Sequence, residues 1–312
     1  MFVVCGEALF DLYAMDGDAG LSFDARIGGS PFNVAVGLAR LRQPVALFTA
    51  ISTDALGVRL RAALKSEGVE TGLLVRSDRR TTLSLVEVGS DGAPTYAFYG
   101  EGGADRAVQM GDLPSLGSQV WGMHVGSFSL VAEPVGSALL EMVRREAARR
   151  LVTLDPNVRL SVEPDRERWR ARIEAFARSS DLIKVSEEDL DLLYPGESPA
   201  DRAAAWGQIG VHLVIVTRGD AGAAAFGPFG LMEVASRPVT VADTVGAGDS
   251  FMAALTAGLA ERNIKTRQAL AGIRKSDVAA LLDFAGRAAA ITCSRRGADL
   301  PKRSELAAAT KS

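Results

Sequence analysis

The chain is poor in the residues from which metal and redox sites are commonly built: among 312 residues there are two cysteines, Cys5 and Cys293, and two histidines, His124 and His212. Cysteines so far apart have no metal-ligand spacing and supply no disulfide framework, and two histidines make a zinc site or a histidine-based triad improbable. No charge of one sign dominates, since 35 basic residues stand against 38 acidic ones for a net charge of -3. Neither a nucleic acid nor an anionic membrane surface is thereby favoured as a partner. No run of about 20 apolar residues occurs, and the opening MFVVCGEAL reads as a strand rather than a basic segment followed by an apolar stretch. The expectation is a cytoplasmic protein that handles small molecules. Also missing are a G-x-x-x-x-G-K-S/T P-loop, a G-x-G-x-x-G after the first strand, and the catalytic-loop and D-F-G motifs of protein kinases.

What the chain does have is concentrated between Val239 and Arg262, VTVADTVGAGDSFMAALTAGLAER. Gly246, Ala247 and Gly248 carry almost no side-chain bulk, and Asp249 leads from them into Phe251, Met252, Leu255 and Leu259 at helical spacing. That pattern predicts a turn opening a helix. Such a turn directs unpaired N–H groups outward with the positive end of the helix dipole behind them, so it can receive an anion. With a carboxylate beside it, the turn can hold a transferring phosphoryl group while Asp249 takes a proton from an attacking hydroxyl. The same residues have a plainer reading, because glycine eases any turn and an acid is ordinary in a first helical turn.

At 47% apolar residues the chain can bury a substantial core. Phe2 to Cys5 reads as a buried strand, and Asp11 lies shortly beyond it, where open α/β sheets collect ligands. A solvated loop acid is the alternative for Asp11. Residues 16 to 27 read as a loop or short polar strand, after which Gly28 and Gly29 let the backbone approach a ligand closely. Ser30 and Pro31 are the expected N-cap and first position of a helix buried through Val34, Leu38 and Leu41, with Asn33 in its first turn. Val45 to Ala50 is the next expected strand and Leu56 to Gly68 a helix; Thr81 to Val88 and Thr95 to Tyr99 alternate about Asp91-Gly92, which predicts a hairpin. From Trp121 onward, strand-like runs at Met123 to Val125, Leu151 to Leu154, Leu182 to Val185 and Leu213 to Thr217 alternate with helical patterns. The fold class is therefore α/β, with a mainly parallel central sheet flanked by helices and a small appended β sheet. Arg159, past the Leu151 to Leu154 strand, is a candidate for a ligand oxygen or for a structural salt bridge. Ser186 with Asp189 fits a capping box that needs no ligand.

Two stretches together go further. Asp243 to Phe251, D-T-V-G-A-G-D-S-F, resembles the C-terminal signature of the ribokinase-like, or PfkB, family of carbohydrate kinases, and Gly28 to Leu41, G-G-S-P-F-N-V-A-V-G-L-A-R-L, resembles its N-terminal signature. The resemblance runs from Val3 to about Pro301, and Cys5 to Asp11 together with Asp155-Pro156-Asn157-Val158-Arg159 are most similar to bacterial fructokinases.

This resemblance implies a ribokinase-like three-layer sandwich over residues 1–312 as a single domain, with a β lid from about 11–27 and 81–100 that also offers a homodimer contact. It implies ATP as phosphoryl donor, Mg2+, K+ as a further ion, and fructose as acceptor, with another keto-sugar, 2-keto-3-deoxygluconate or a nucleoside as alternatives. A sugar-binding protein that keeps the fold without catalysis is the reading from another class. Asp249 is then the base, with Gly246, Ala247 and Gly248 as the anion hole; Asp11, Gly28, Gly29, Asn33 and Arg159 take the sugar. Lys184, Ser186, Thr217, Gly219, Gly222 and Ala285 border the nucleotide. Glu187 or Asp189 serves Mg2+ where related kinases carry Asn-x-x-Glu, and Asp243, Val245 and Gly297 form a monovalent-cation site. One departure stands out at Gly100, where fructokinase-like sequences often have a basic residue. Its absence implies a looser, less selective sugar site, and Gly100→Arg is expected to lower the fructose KM if the backbone tolerates a side chain.

Overall fold

Residues 1–17, 20–88 and 94–308 are described by the computed structural model of the chain. Phe2–Cys5 forms β1, buried throughout, with Phe2 and Val4 facing one hydrophobic core and Val3 and Cys5 another. That alternation is what a strand covered on both faces requires. There follow β2 (Leu9–Gly17), β3 (Gly20–Gly28), α1 (Ser30–Arg40), β4 (Val45–Phe48), β5 (Ala50–Ser52), α2 (Ala55–Ser66) and β6 (Val75–Ser77). The chain continues through β7 (Leu83–Val88), β8 (Pro94–Tyr99), β9 (Gly122–Gly126), α3 (Val135–Glu146), β10 (Leu151–Asp155), α4 (Arg166–Ala177), β11 (Leu182–Ser186) and α5 (Glu187–Leu193). It ends with α6 (Pro199–Gln208), β12 (Leu213–Thr217), β13 (Ala223–Gly227), β14 (Gly230–Val234), α7 (Ala247–Glu261), α8 (Arg267–Ala271), α9 (Lys275–Cys293) and α10 (Arg303–Ala308).

Eight strands make the large sheet, in the order β14-β13-β12-β11-β10-β9-β1-β4. From β12 to β4 the neighbours are parallel, while β13 and β14 close the other edge as an antiparallel pair. One face is covered by α1, α7 and α9 through residues such as Leu38, Leu255 and Leu281. The other is covered by α3, α4 and α6 through Leu139, Ile173 and Trp206. The three layers and the mainly parallel sheet agree with the sequence expectation.

The second sheet, β3-β2-β7-β8, falls where the appended strands were expected, although the Asp91-Gly92 turn and the last four residues lie outside the described residues. Four details differ. Asp11 is inside β2, opposite Arg26 of β3 and Ser84 of β7, and not in a loop past β1; residues 20–28 form a full strand that holds it there. The expected strand from Val45 to Ala50 divides, β4 staying with β1 while β5 pairs with β6. The β13–β14 pair was not foreseen, because Ala-rich AAAFG carries little strand signal. Finally, α1 is capped by Gly29 at φ 103, with Ser30 already helical; a side chain at 29 would run into the Glu7 carbonyl, 2.8 Å from its Cβ.

Candidate active site

Helix α7 begins one residue after Gly246, whose φ of 77 is left-handed. A Cβ there would also stand 2.6 Å from that of Ala298, so glycine is required twice. In α2, α4, α5, α6 and α8 the N-cap side chain accepts a first-turn N–H bond. In α7, as in α1, α3 and α9, no side chain does so. The Ala247 N–H, expected in the anion hole, goes instead to Thr244 O at 3.2 Å, which leaves the Gly248 and Asp249 N–H groups for an anion at the positive end of the helix. The Lys184 ammonium comes within 3.1 Å of the place a Gly248 Cβ would occupy, beside that turn.

Asp249, in that first turn, is 7% exposed. Its Oδ1 accepts from Ser30 Oγ at 2.6 Å and its Oδ2 from Asn33 Nδ2 at 2.8 Å. Both donors come from the first turn of α1, so the two helix N-termini face each other across the carboxylate. Asn33, expected from the resemblance to take the sugar, donates to the Asp249 carboxylate. Ser30 was read only as a cap; what frees its hydroxyl is the shift of the cap to Gly29, which no local pattern signals.

Asp11 enters from the second sheet. Its Oδ2 lies 2.0 Å from where a Cβ on Gly28 would be, which explains why position 28 has no side chain. Burial pushes the Asp11 carboxyl up to about 6, with Ser84 and the Arg159 guanidinium pulling it down and Asp249 pushing it further up. Asp11, Arg159 and Asp249 therefore share one electrostatic environment. Arg159 also donates through Nη1 to its own neighbour's carbonyl, Val158 O, at 2.8 Å.

Lys184 is 4% exposed and pairs with Asp155 Oδ2 at 2.8 Å. Burial opposes its charge, but Asp155, Asp189 and Asp249 outweigh that and hold the ammonium above its ordinary range. Ser186 accepts from the Asp189 N–H at 3.0 Å and so caps α5, which is one half of the expected capping box. Asp189 turns its Oδ1 to the Val158 N–H at 3.2 Å, and Glu187 occupies the same first turn of α5. Among the described residues no group of three or more His, Cys, Asp or Glu is arranged to hold a metal ion.

On the far side of β11, the Thr217 hydroxyl is 3.5 Å from Val185 O, and Gly219, at φ 53, has open space beside it. Gly222, at φ 89, is held to glycine by the chain reversal, because a Cβ there would fall 2.1 Å from Val234 O. Ala285 is wholly buried in the core and presents no surface to a nucleotide. Asp243 accepts from the Val245 N–H at 3.0 Å and the Gly297 N–H at 2.7 Å, so its carboxylate fixes the loop. Arg26 of β3, not singled out from sequence, donates to Arg296 O at 3.0 Å and links the second sheet to that loop. Gly100 has no left-handed φ, but its Cβ site is filled by the Thr82 side chain, with Cγ2 2.4 Å away; the obstacle to a side chain is space, not backbone conformation.

Residues 1–305 match the model of the pfkB family of carbohydrate kinases. A fructokinase of Rhizobium leguminosarum bv. trifolii is 39% identical over 275 residues, 88% of this chain and 84% of that one. Among solved structures, the Xylella fastidiosa fructokinase with bound ATP superposes with a TM-score of 0.91 at 26% identity, covering 99% of this chain and 98% of that one. The Vibrio cholerae O395 fructokinase in fructose, ADP and calcium ion bound form gives a TM-score of 0.84 at 27% identity, with 98% of each chain covered.

Proposed function

The chain belongs to the pfkB family of carbohydrate kinases, and we propose that it transfers the γ-phosphoryl group of ATP to fructose, forming fructose 6-phosphate. The observation that carries the reading is Asp249: a buried carboxylate in the first turn of a helix with no side-chain cap, steadied by Ser30 and Asn33. A protein that only binds sugar has no use for a base aimed at a phosphate site. In the proposed reaction the fructose hydroxyl gives its proton to Asp249 as its oxygen attacks phosphorus. The Gly248 and Asp249 N–H groups at the start of α7 and the Lys184 ammonium stabilise the charge on the transferring group. Asp11, seated against Gly28, accepts hydrogen bonds from the sugar's other hydroxyls, with the backbone of Gly28 and Gly29 beside it, and Arg159 faces the same space. The ATP and fructose named for the Xylella and Vibrio enzymes support the choice of donor and acceptor.

Mg2+ would arrive on the nucleotide phosphates, in keeping with that ion's preference for water and phosphate oxygens over an all-protein cage. Glu187 is the protein carboxylate best left for its water shell, since Asp189 is engaged with Val158. For K+, the loop of Asp243, Val245 and Gly297 is already fixed by two N–H bonds, so the ion would raise activity and not be required for it. The second sheet would act as a lid within a single domain and as a homodimer contact. Strand register puts Leu21, Phe23 and Tyr99 on the face away from Asp11, where they are 64%, 45% and 66% exposed.

A coupled ADP-release assay over fructose, other keto-sugars, 2-keto-3-deoxygluconate and nucleosides tests the acceptor. Fructose is expected to give the highest kcat/KM. A higher value for any other acceptor overturns fructose, and no ADP release with any of them overturns the kinase reading of the site.

A further inference from the structure

A second positively charged site lies away from Asp249, between the C-terminal ends of α1 and α2 and the start of α10. It is a cleft of about 220 Å³, with Arg40, Arg42, Glu67, Lys302, Arg303 and Ser304 in its walls. Arg40 is committed to Glu67, at 2.6 Å, and to Asp299, at 2.8 Å. Arg303 pairs with Glu261 at 3.0 Å. Arg42 and Lys302 make no ion pair among the described residues, so the cleft keeps two uncompensated positive charges on a protein whose net charge is -3. The carboxyl ends of α1 and α2 do not account for them, since the last turns already contain Arg40 and Lys65.

The backbone at Arg42 is an independent observation. The Arg42 N–H donates to Ala39 O at 2.8 Å and the Gln43 N–H to Leu38 O at 2.9 Å. This is a Schellman ending of α1, in which the left-handed position normally goes to glycine. Here it is occupied by arginine at φ 62. A long cation is kept where the backbone favours no side chain, and that side chain borders the cleft.

We propose that this cleft binds a small phosphate monoester or inorganic phosphate, with Arg42 and Lys302 as the charged ligands and the Ser304 hydroxyl as a further donor. Its volume is below that of drug-sized ligand pockets and suits a phosphate with a short carbon skeleton. Two cations and a hydroxyl match the oxygens of a phosphate dianion. The inference does not depend on Asp249 being the base.

The test fills the catalytic pocket with a non-hydrolysable ATP analogue and fructose, then titrates inorganic phosphate or fructose 6-phosphate by calorimetry at constant ionic strength. Wild type and an Arg42→Gly, Lys302→Ala variant are compared, with circular dichroism melts to verify folding. One saturable equivalent in wild type, weakened about tenfold or more in the variant, supports the proposal; the tighter of the two probes identifies inorganic phosphate or the ester as the source. Equal binding by wild type and variant, displacement by chloride at matched ionic strength, or no saturable binding in wild type overturns it.

Discussion

Asn33 Nδ2 donates to Asp249 Oδ2 at 2.8 Å across 216 residues of sequence. With the Ser30 bond to Oδ1, it leaves the Asp249 carboxylate fixed at both oxygens before any acceptor arrives. Asp249→Asn keeps the shape of this arrangement and removes its basicity. Turnover is expected to fall at least about 100-fold with folding retained, as read by steady-state kinetics and circular dichroism. A variant with near wild-type turnover would remove Asp249 from the base role.

Ser30→Ala deletes one charge-assisted bond and nothing else from the site. The expected result is a kcat about tenfold lower, since such a bond is worth more than about 1.4 kcal/mol, with the fructose KM changed less than about twofold. A change confined to KM would mean that Ser30 contacts the acceptor and does not position the base.

Asp11 gives the sugar site a pH signature. Burial raises its carboxyl to about 6, so the ionised form, which in the proposed reading accepts the sugar hydroxyls, dominates above that value and is lost below it. The fructose KM should rise about tenfold between pH 7 and pH 5, and Asp11→Asn should have a high KM that no longer varies with pH. A wild-type KM that stays flat across this range would count against Asp11 as an ionised ligand.

Glu7 gives a stability signature of its own. Burial pushes its carboxyl from an ordinary 4.5 to about 7, with Asp105 adding to the rise and hydrogen bonds from Ser129 and Ser127 opposing it. Below about 4.5 folded and unfolded chains both hold the proton, and the group contributes no pH dependence. Between about 4.5 and about 7 the unfolded chain releases its proton first, so stability falls as pH rises. Above that window the loss is complete, on the order of 3 kcal/mol. Glu7→Gln should therefore lose less stability than wild type between pH 5 and pH 8 in urea denaturation. Parallel losses in the two proteins would refute the burial argument.

Gly100→Arg, expected from sequence to tighten sugar binding, should do the reverse. The Thr82 side chain occupies the position of the new Cβ, and its hydroxyl is the donor to buried Asp105. Displacing it should destabilise the protein by about 1–3 kcal/mol and raise the fructose KM. Thermal melts and kinetics read both, and an unchanged Tm with a lower KM would show that Thr82 moves aside freely.

The large sheet was legible because its strands are short apolar runs separated by helical periods, a signal local to each run. The turn before Asp249 was legible for the same reason: small residues, an acid and a helix stand in one stretch. What escaped the sequence is non-local. Ser30 reaches Asp249 only because α1 and α7 pack with their N-termini together, and Asp11 lies within a strand because residues 20–28 pair with it. Ala285 looked like a nucleotide neighbour by position, but α9 turns it into the core. Gly100 looked like a missing contact until Thr82 was found in its place.

Because Asp249 sits on α7 and is held from α1, while Asp11 hangs from β2 on a separate sheet, the proposed base and the proposed sugar carboxylate rest on different supports. The first is anchored in the buried core of the large sheet and tolerates little change. The second belongs to a few strands that touch that core mainly at their ends. On the proposed roles, changes in β2, β3, β7 and β8 would alter the acceptor contacts made from Asp11 and leave Asp249 and the turn before α7 where they are.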